Sequence, residues 1–150
     1  MIRATKAIPE GLQSVTTQLV VEDGRALIAF LEKAFGAEHP FPPMYGPDGK
    51  TIMHAHVRIG DTTVFLSEAG GFAKPTRANL FVYVADVDAT YDRAVAAGAT
   101  AAAPVADMFW GDRWGMLHDP FGNTWQIATH IEDVAPEDMT RRMASLPRVS

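Results

Sequence analysis

Apolar and polar positions along the chain change period in an order that occurs twice. Residues 14–21 are rich in β-branched side chains (Val15, Thr16, Thr17, Val20, Val21) and predict a strand. Asp23 offers a helix N-cap. Leu27, Phe30, Leu31, Ala34 and Phe35 then recur at helical spacing, and Gly36 stands where the helix should stop. Residues 39–50 hold four Pro and two Gly and predict a loop with room for one edge strand. Residues 51–59 and 62–67 read as strands around a Gly60-Asp61 turn, and 68–75, with paired Gly70-Gly71, as a linker. The order then restarts. Residues 78–84 predict a strand. Asp86 or Asp88 caps a helix with apolar face Val87, Tyr91, Ala94 and Val95, ending at Gly98. Residues 100–106 form a small-residue strand, and 108–130 predict two antiparallel strands around the tight turn Asp119-Pro120-Phe121-Gly122-Asn123. In 123–129, Thr124, Gln126 and Ala128 alternate with Trp125, Ile127 and Thr129, so the two sets face opposite ways.

Register points make this an internal repeat. Gly36 maps onto Gly98, Ala37 onto Ala99 and Gly60 onto Gly122, each 62 positions on, and Asp23 maps onto Asp86 at 63. Each half reads β-α-β-β-β. A four-stranded sheet with one helix leaves a face bare, and two such units can share a core or a cavity. The predicted class is therefore α+β: two tandem β-α-β-β-β modules, residues 12–68 and 77–130, forming curved sheets around a cavity. A tail, 131–150, completes one domain. Pro136 suits the first helical position there. Glu137 and Asp138 followed by Arg141 and Arg142 suit the helix dipole, and Met139, Met143 and Leu146 form an apolar stripe. That stripe packs on its own domain or on a second subunit.

Composition narrows the function classes. A formal charge of −5 without a basic run argues against a nucleic-acid partner. The absence of Cys excludes disulfides, thiolate catalysis and thiolate metal ligation. No apolar run approaches the roughly 20 residues of a membrane span. The first eleven residues lack an apolar signal core, so a cytoplasmic location is expected.

Two segments, VADVDATYDRAVAAGA (84–99) and HDPFGNTWQIATH (118–130), resemble the vicinal oxygen chelate superfamily, as does the paired-module length. That superfamily includes glyoxalases, bleomycin-resistance proteins, fosfomycin-resistance enzymes and extradiol dioxygenases. The strings IMHAHVRIGD (52–61), FWGDRWG (109–115) and IEDVAPEDMTRR (131–142) look more narrowly like its PhnB-like branch. Some proteins of that branch are called methyltransferases. No Gly-rich turn between a strand and a helix supports a nucleotide-type methyl donor here.

The resemblance implies a divalent metal held from the first and last strand of each module. Aligned on the repeat, those positions are Thr16, Val64, Asn79 and Gln126. None is imidazole or carboxylate, and Val cannot ligate, so no metal site is expected there and no cofactor is expected, although a divalent metal elsewhere stays possible. His54 and His56, two apart on one strand, share a face and are the catalytic candidates as acid and base or as metal ligands; Met53, Ala55 and Val57 opposite them suit packing under a helix. His118 and His130 read as structural, and His39 as solvated. Thr16, Gln18, Asn79, Tyr83, Phe109, Trp110, Arg113, Trp114 and Gln126 are the ligand-binding candidates. The aromatics suit a flat apolar ligand. Arg113 could clamp an anionic group, or pair with Asp112 or Asp119. Two functions follow from the resemblance. One is metal-independent binding or sequestration of a small aromatic or antibiotic-like molecule. The other is a lyase, isomerase or oxygenase using His54 and His56. Whether the protein is an enzyme stays open. A homodimer is expected, as is usual in the family, because edge strands near His39 and Thr100 would otherwise be free to pair.

Overall fold

A computed structural model describes residues 6–70 and 73–148. The chain divides into two compact units between Ala78 and Asn79. The first contains β1 (Gln18–Val21), α1 (Gly24–Phe35), β2 (Met44–Tyr45), β3 (Ile52–Ile59) and β4 (Thr62–Glu68), with sheet order β1-β4-β3-β2. The second contains β5 (Asn79–Tyr83), α2 (Val87–Ala96), β6 (Thr100–Asp107), β7 (Asp112–His118) and β8 (Thr124–His130), with sheet order β5-β8-β7-β6. It is followed by α3 (Pro136–Ala144). In each sheet the first strand runs parallel to the last and the other pairings are antiparallel. The tandem β-α-β-β-β order and the C-terminal helix are those the sequence predicts. Among the described residues no helix is long and apolar enough to cross a membrane.

Local chemistry sets the ends of the helices. The Asp23 carboxylate accepts from Ala26 N at 3.0 Å, and Gly36 ends α1 at φ 64°, where a side chain would be strained. Leu27, Phe30, Leu31 and Ala34 are buried on the sheet side. Glu68 adds a clamp not evident beforehand. One carboxylate oxygen accepts from Gly24 N at 2.9 Å and the other from Ile52 N at 2.8 Å, tying the start of α1 to the start of β3. In α2 the cap is Asp86, not Asp88. Its buried stripe is Val87, Thr90, Tyr91 and Ala94, while Val95 is 42% exposed. The i, i+3, i+4, i+7 series from Val87 takes in Thr90 and leaves Val95 at the stripe's edge.

Four strand expectations change. The first strand begins only at Gln18, and Val15 is exposed. Met53 does not pack under α1: it is 60% exposed and Ile52 is fully buried. The cause is a bulge, since Met44 pairs with His54 and Tyr45 with Ile52, one step on β2 against two on β3. Val64 is buried with Leu66 on the helix side of β4, so Phe65 takes the opposite face. Residues 108–111 form a turn, closed by Gly111 N donating to Met108 O at 3.1 Å, so β7 starts at Asp112. The 119–123 turn is as predicted. The buried Asp119 carboxylate accepts from the Phe121 and Asn123 amides, Asn123 Nδ2 and Trp125 Nε1 at 2.8–2.9 Å. Trp125 is fully buried core. β6, one of the two outer strands of its sheet, loses register between Ala101 and Ala103 and again between Ala103 and Ala106. α3 has no fully buried residue, and Met143 and Leu146 are exposed. It is held to its own unit by Arg142, which donates to the Phe109 carbonyl and to Glu132.

Candidate functional site

Strand parity decides which side chains share the helix-free face of the second unit. Asp112, Trp114, Met116 and His118 of β7 stand opposite His130, Ala128, Gln126 and Thr124 of β8. Residues opposed across a ladder lie on one face, so these eight do. Gly115 belongs to the other side, where a Cβ would meet the Tyr91 ring at 2.9 Å. Arg113 also lies there. It makes a two-toothed bridge to Asp88 of α2 at 2.7 and 2.8 Å and a further contact to Asp107 at 2.9 Å. The expected pairing with Asp112 or Asp119 does not occur, because consecutive strand residues point opposite ways. For the same reason Arg113 does not join Trp114 as an anion clamp. The bridge holds the Asp88 carboxyl below its usual range.

Two hydrogen-bond systems organise the helix-free face. In the first, Trp114 Nε1 donates to Gln126 Oε1 at 3.1 Å, and Gln126 Nε2 donates to Asn79 Oδ1 at 3.1 Å. In the second, Asp112, 2% exposed, accepts from Tyr83 OH and Trp110 Nε1 on one oxygen, both at 2.9 Å. Its other oxygen meets His130 Nδ1 at 2.8 Å, and His130 Nε2 meets Asp133 at 2.7 Å. Burial pushes the Asp112 carboxyl up, but the bonds from His130, Tyr83 and Trp110 outweigh it and leave the group below its usual value. His130 is raised, by Asp133 first and Asp112 second, and the Tyr83 phenol is raised chiefly by its bond to Asp112. Aromatic rings frame the two systems. Trp110 lies 5.9 Å from Trp114 and 5.1 Å from Phe109, and Phe81 lies 5.1 Å from Tyr83, all centroid to centroid. Thus Asn79, Tyr83, Phe109, Trp110, Trp114 and Gln126 come together within this unit. Sequence reasoning missed Asp112 as the hub, although counting back from the 119–123 turn places it opposite His130.

In the first unit, Gln18 opposes Phe65, which opposes His56. Gln18 Nε2 donates to Ser67 Oγ at 3.0 Å, and Thr16 precedes β1. His54 and His56 lie 4.9 Å apart, each 4.7 Å from the Phe65 ring. Partial burial, and then the neighbouring His56, hold His54 below its ordinary value. His39 is engaged rather than solvated: its Nε2 meets Glu32 at 2.5 Å. His118 is held by Thr124 Oγ1 at 3.0 Å. A groove of about 380 Å³ lies between α2 and β6 in the second unit, and one of about 370 Å³ lies between α1 and the Pro-rich loop in the first, where Phe41 also meets the His56 ring.

The family's metal positions do not fit an ion. Val64 faces α1, its neighbour Phe65 offers no donor atom, and the Gln126 and Asn79 amides are bonded to each other. A family model described as the Glyoxalase/Bleomycin resistance protein/Dioxygenase superfamily matches residues 12–127. The chain belongs to this superfamily. A relative in Mycobacterium bovis, described as uncharacterized, is 36% identical over 143 residues, covering 88% of this chain and 93% of that one. Among solved structures, TioX from Micromonospora sp. ML1 aligns at a TM-score of 0.65 and 26% identity, over 79% of this chain and 99% of that one. The fosfomycin resistance protein FosX of Listeria monocytogenes aligns at 0.55 and 19% identity, over 90% and 99%, a likeness of fold.

Proposed function

We propose that this glyoxalase-superfamily protein is a cytoplasmic homodimer that binds and sequesters a small planar aromatic molecule without a metal at the first- and last-strand positions. One observation carries the reading. On the helix-free face of the second unit, Trp114 is bonded to the amide pair Gln126–Asn79, Trp110 and Phe109 follow it ring to ring, and Tyr83 joins Trp110 through the Asp112 carboxylate. Partly exposed rings supply stacking area, and the amides supply directed donors and acceptors, which is the composition of a site for a flat, weakly polar ligand. Sequestration of this kind asks for affinity and no reacting group.

The test is a tryptophan-fluorescence titration with bleomycin and a panel of planar heteroaromatic compounds. Trp125 is buried, so the ligand-sensitive emission comes from Trp110 and Trp114. Saturable quenching is expected for at least one class, with affinity lowered about tenfold by Trp114→Ala and by Gln126→Leu. Binding unchanged in both variants, or no binding across the panel, would remove the reading. Sedimentation at high micromolar concentration tests the dimer, and a monomer there would remove it.

A further inference from the structure

The short strand β2 places one more donor beside the histidine pair. Met44 pairs with His54, and residues opposed on an antiparallel ladder share a face with Cβ atoms about 4.5–5.5 Å apart. Tyr45, next along, has its ring 5.3 Å from the guanidinium of Arg25 on α1, so it points to the helix side and Met44 points away from it. His56 lies two residues beyond His54, its ring 4.9 Å away. A thioether and two imidazoles therefore stand in a row on the helix-free face of the first unit.

Phe65 stacks on His56 at 29° and meets His54 edge-on, and Phe41 meets His56 edge-on at 5.7 Å. These contacts engage the rings through π-faces and edges. The in-plane nitrogens of His54 and His56 make no hydrogen bond to any described residue, so their lone pairs remain available. Among the described residues no group of three His, Cys, Asp or Glu is placed to hold an ion, so no carboxylate completes the row. A neutral donor set flanked by phenyl rings offsets little of the cost of desolvating a dication, and a monovalent ion loses less on entering. Thioether with imidazole is the ligand combination that suits soft copper. The geometry points to a Cu(I) site formed by Met44 Sδ and one ring nitrogen each of His54 and His56. It shares no residue with the family's metal positions or with the aromatic face of the second unit. Binding involves no change of oxidation state.

The experiment is an anaerobic titration of the full chain, purified without a His tag, against Cu(I) buffered by a coloured chelator. One equivalent of copper is expected to leave the chelator. Affinity should fall roughly tenfold in Met44→Leu and roughly a hundredfold or more in His54→Ala and His56→Ala. Met53→Leu, on the bulge, should bind as the unmodified chain does. X-ray absorption should show a sulfur neighbour to copper that Met44→Leu removes. Circular dichroism confirms that each variant is folded, since Met44 and both His are partly or largely exposed. Copper left on the chelator overturns the proposal. So does full affinity in the His54→Ala/His56→Ala double variant, or copper without a sulfur neighbour. None of these results bears on the aromatic ligand.

Discussion

Replacing Asp112 separates the charge of the hub from its shape. Its three bonds go to a carboxylate whose side chain is 3% exposed. Hydrogen bonds to charged groups contribute ~1.5–3 kcal/mol each. Tyr83 and His130 are more than half exposed, so water replaces two of the three partners, and Asp112→Ala should cost ~2–4 kcal/mol. That corresponds to melting about 5–15 °C lower. Asp112→Asn behaves differently. With its oxygen turned to Tyr83 and Trp110, its NH2 meets His130 Nδ1, which accepts when the imidazole is neutral and clashes when it is charged. In the unmodified chain the lowered Asp112 stabilises above its ordinary 3.8 and fails as pH falls through its folded value. The raised His130 stabilises below its ordinary 6.5 and fails as pH rises through its folded value. The pair therefore contributes fully between those two ordinary values. Thermal melts by circular dichroism at about pH 5 and about pH 8 should show Asp112→Asn close to Asp112→Ala at the lower pH and close to the unmodified chain at the higher. Equal losses for Asn and Ala at both pH values, or an Ala variant melting with the unmodified chain, would refute the hub.

Gly111→Ala should be severe: φ is +99° and the new Cβ would lie 2.1 Å from the Glu132 carbonyl oxygen, so a loss of ~3 kcal/mol or more is expected in urea unfolding. Gly60→Ala, at φ +58° with open space around it, should cost only the backbone term of ~1–2 kcal/mol in the same assay. Glu68→Ala should lose ~1–3 kcal/mol, with Glu68→Gln keeping part of it, and hydrogen exchange should speed up at the Gly24 and Ile52 amides. Asp23→Ala and Asp86→Ala should each cost about 1 kcal/mol through loss of a cap.

The sequence disclosed the fold through short-range chemistry. Asp23, Gly36, Asp86 and the 119–123 turn act locally, so their roles follow from neighbours within four or five positions. Alternation in 123–129 correctly separated Gln126 from Trp125. What escaped was whatever depends on register between strands. The bulge at Met53 reverses the facing of Ile52 and is invisible until β2 is paired. The Gly60 alignment put Val64 where Gln126 stands, but the two-residue and five-residue turns differ in length, and the strand pairing gives that place to Phe65. Arg113's partners, Asp88 and Asp107, come from a helix and a neighbouring strand, whereas the expected Asp112 was merely next in sequence. Met44 sits in a Pro-rich loop, where nothing along the chain marks it as a neighbour of His54.

The broken register of β6 bears on how this chain fails as well as how it folds. Pro104 brings no N–H to the strand, and two slips within eight residues spoil the even spacing another backbone would need. At the margin of the first sheet, β2 presents two residues between prolines at 43 and 47. Neither of these two margins can template a ladder longer than a few bonds, so sheet growth through β6 or β2 is closed off. Association at those two margins must then proceed through side chains, which leaves backbone-templated growth to the other outer strands, β1 and β5.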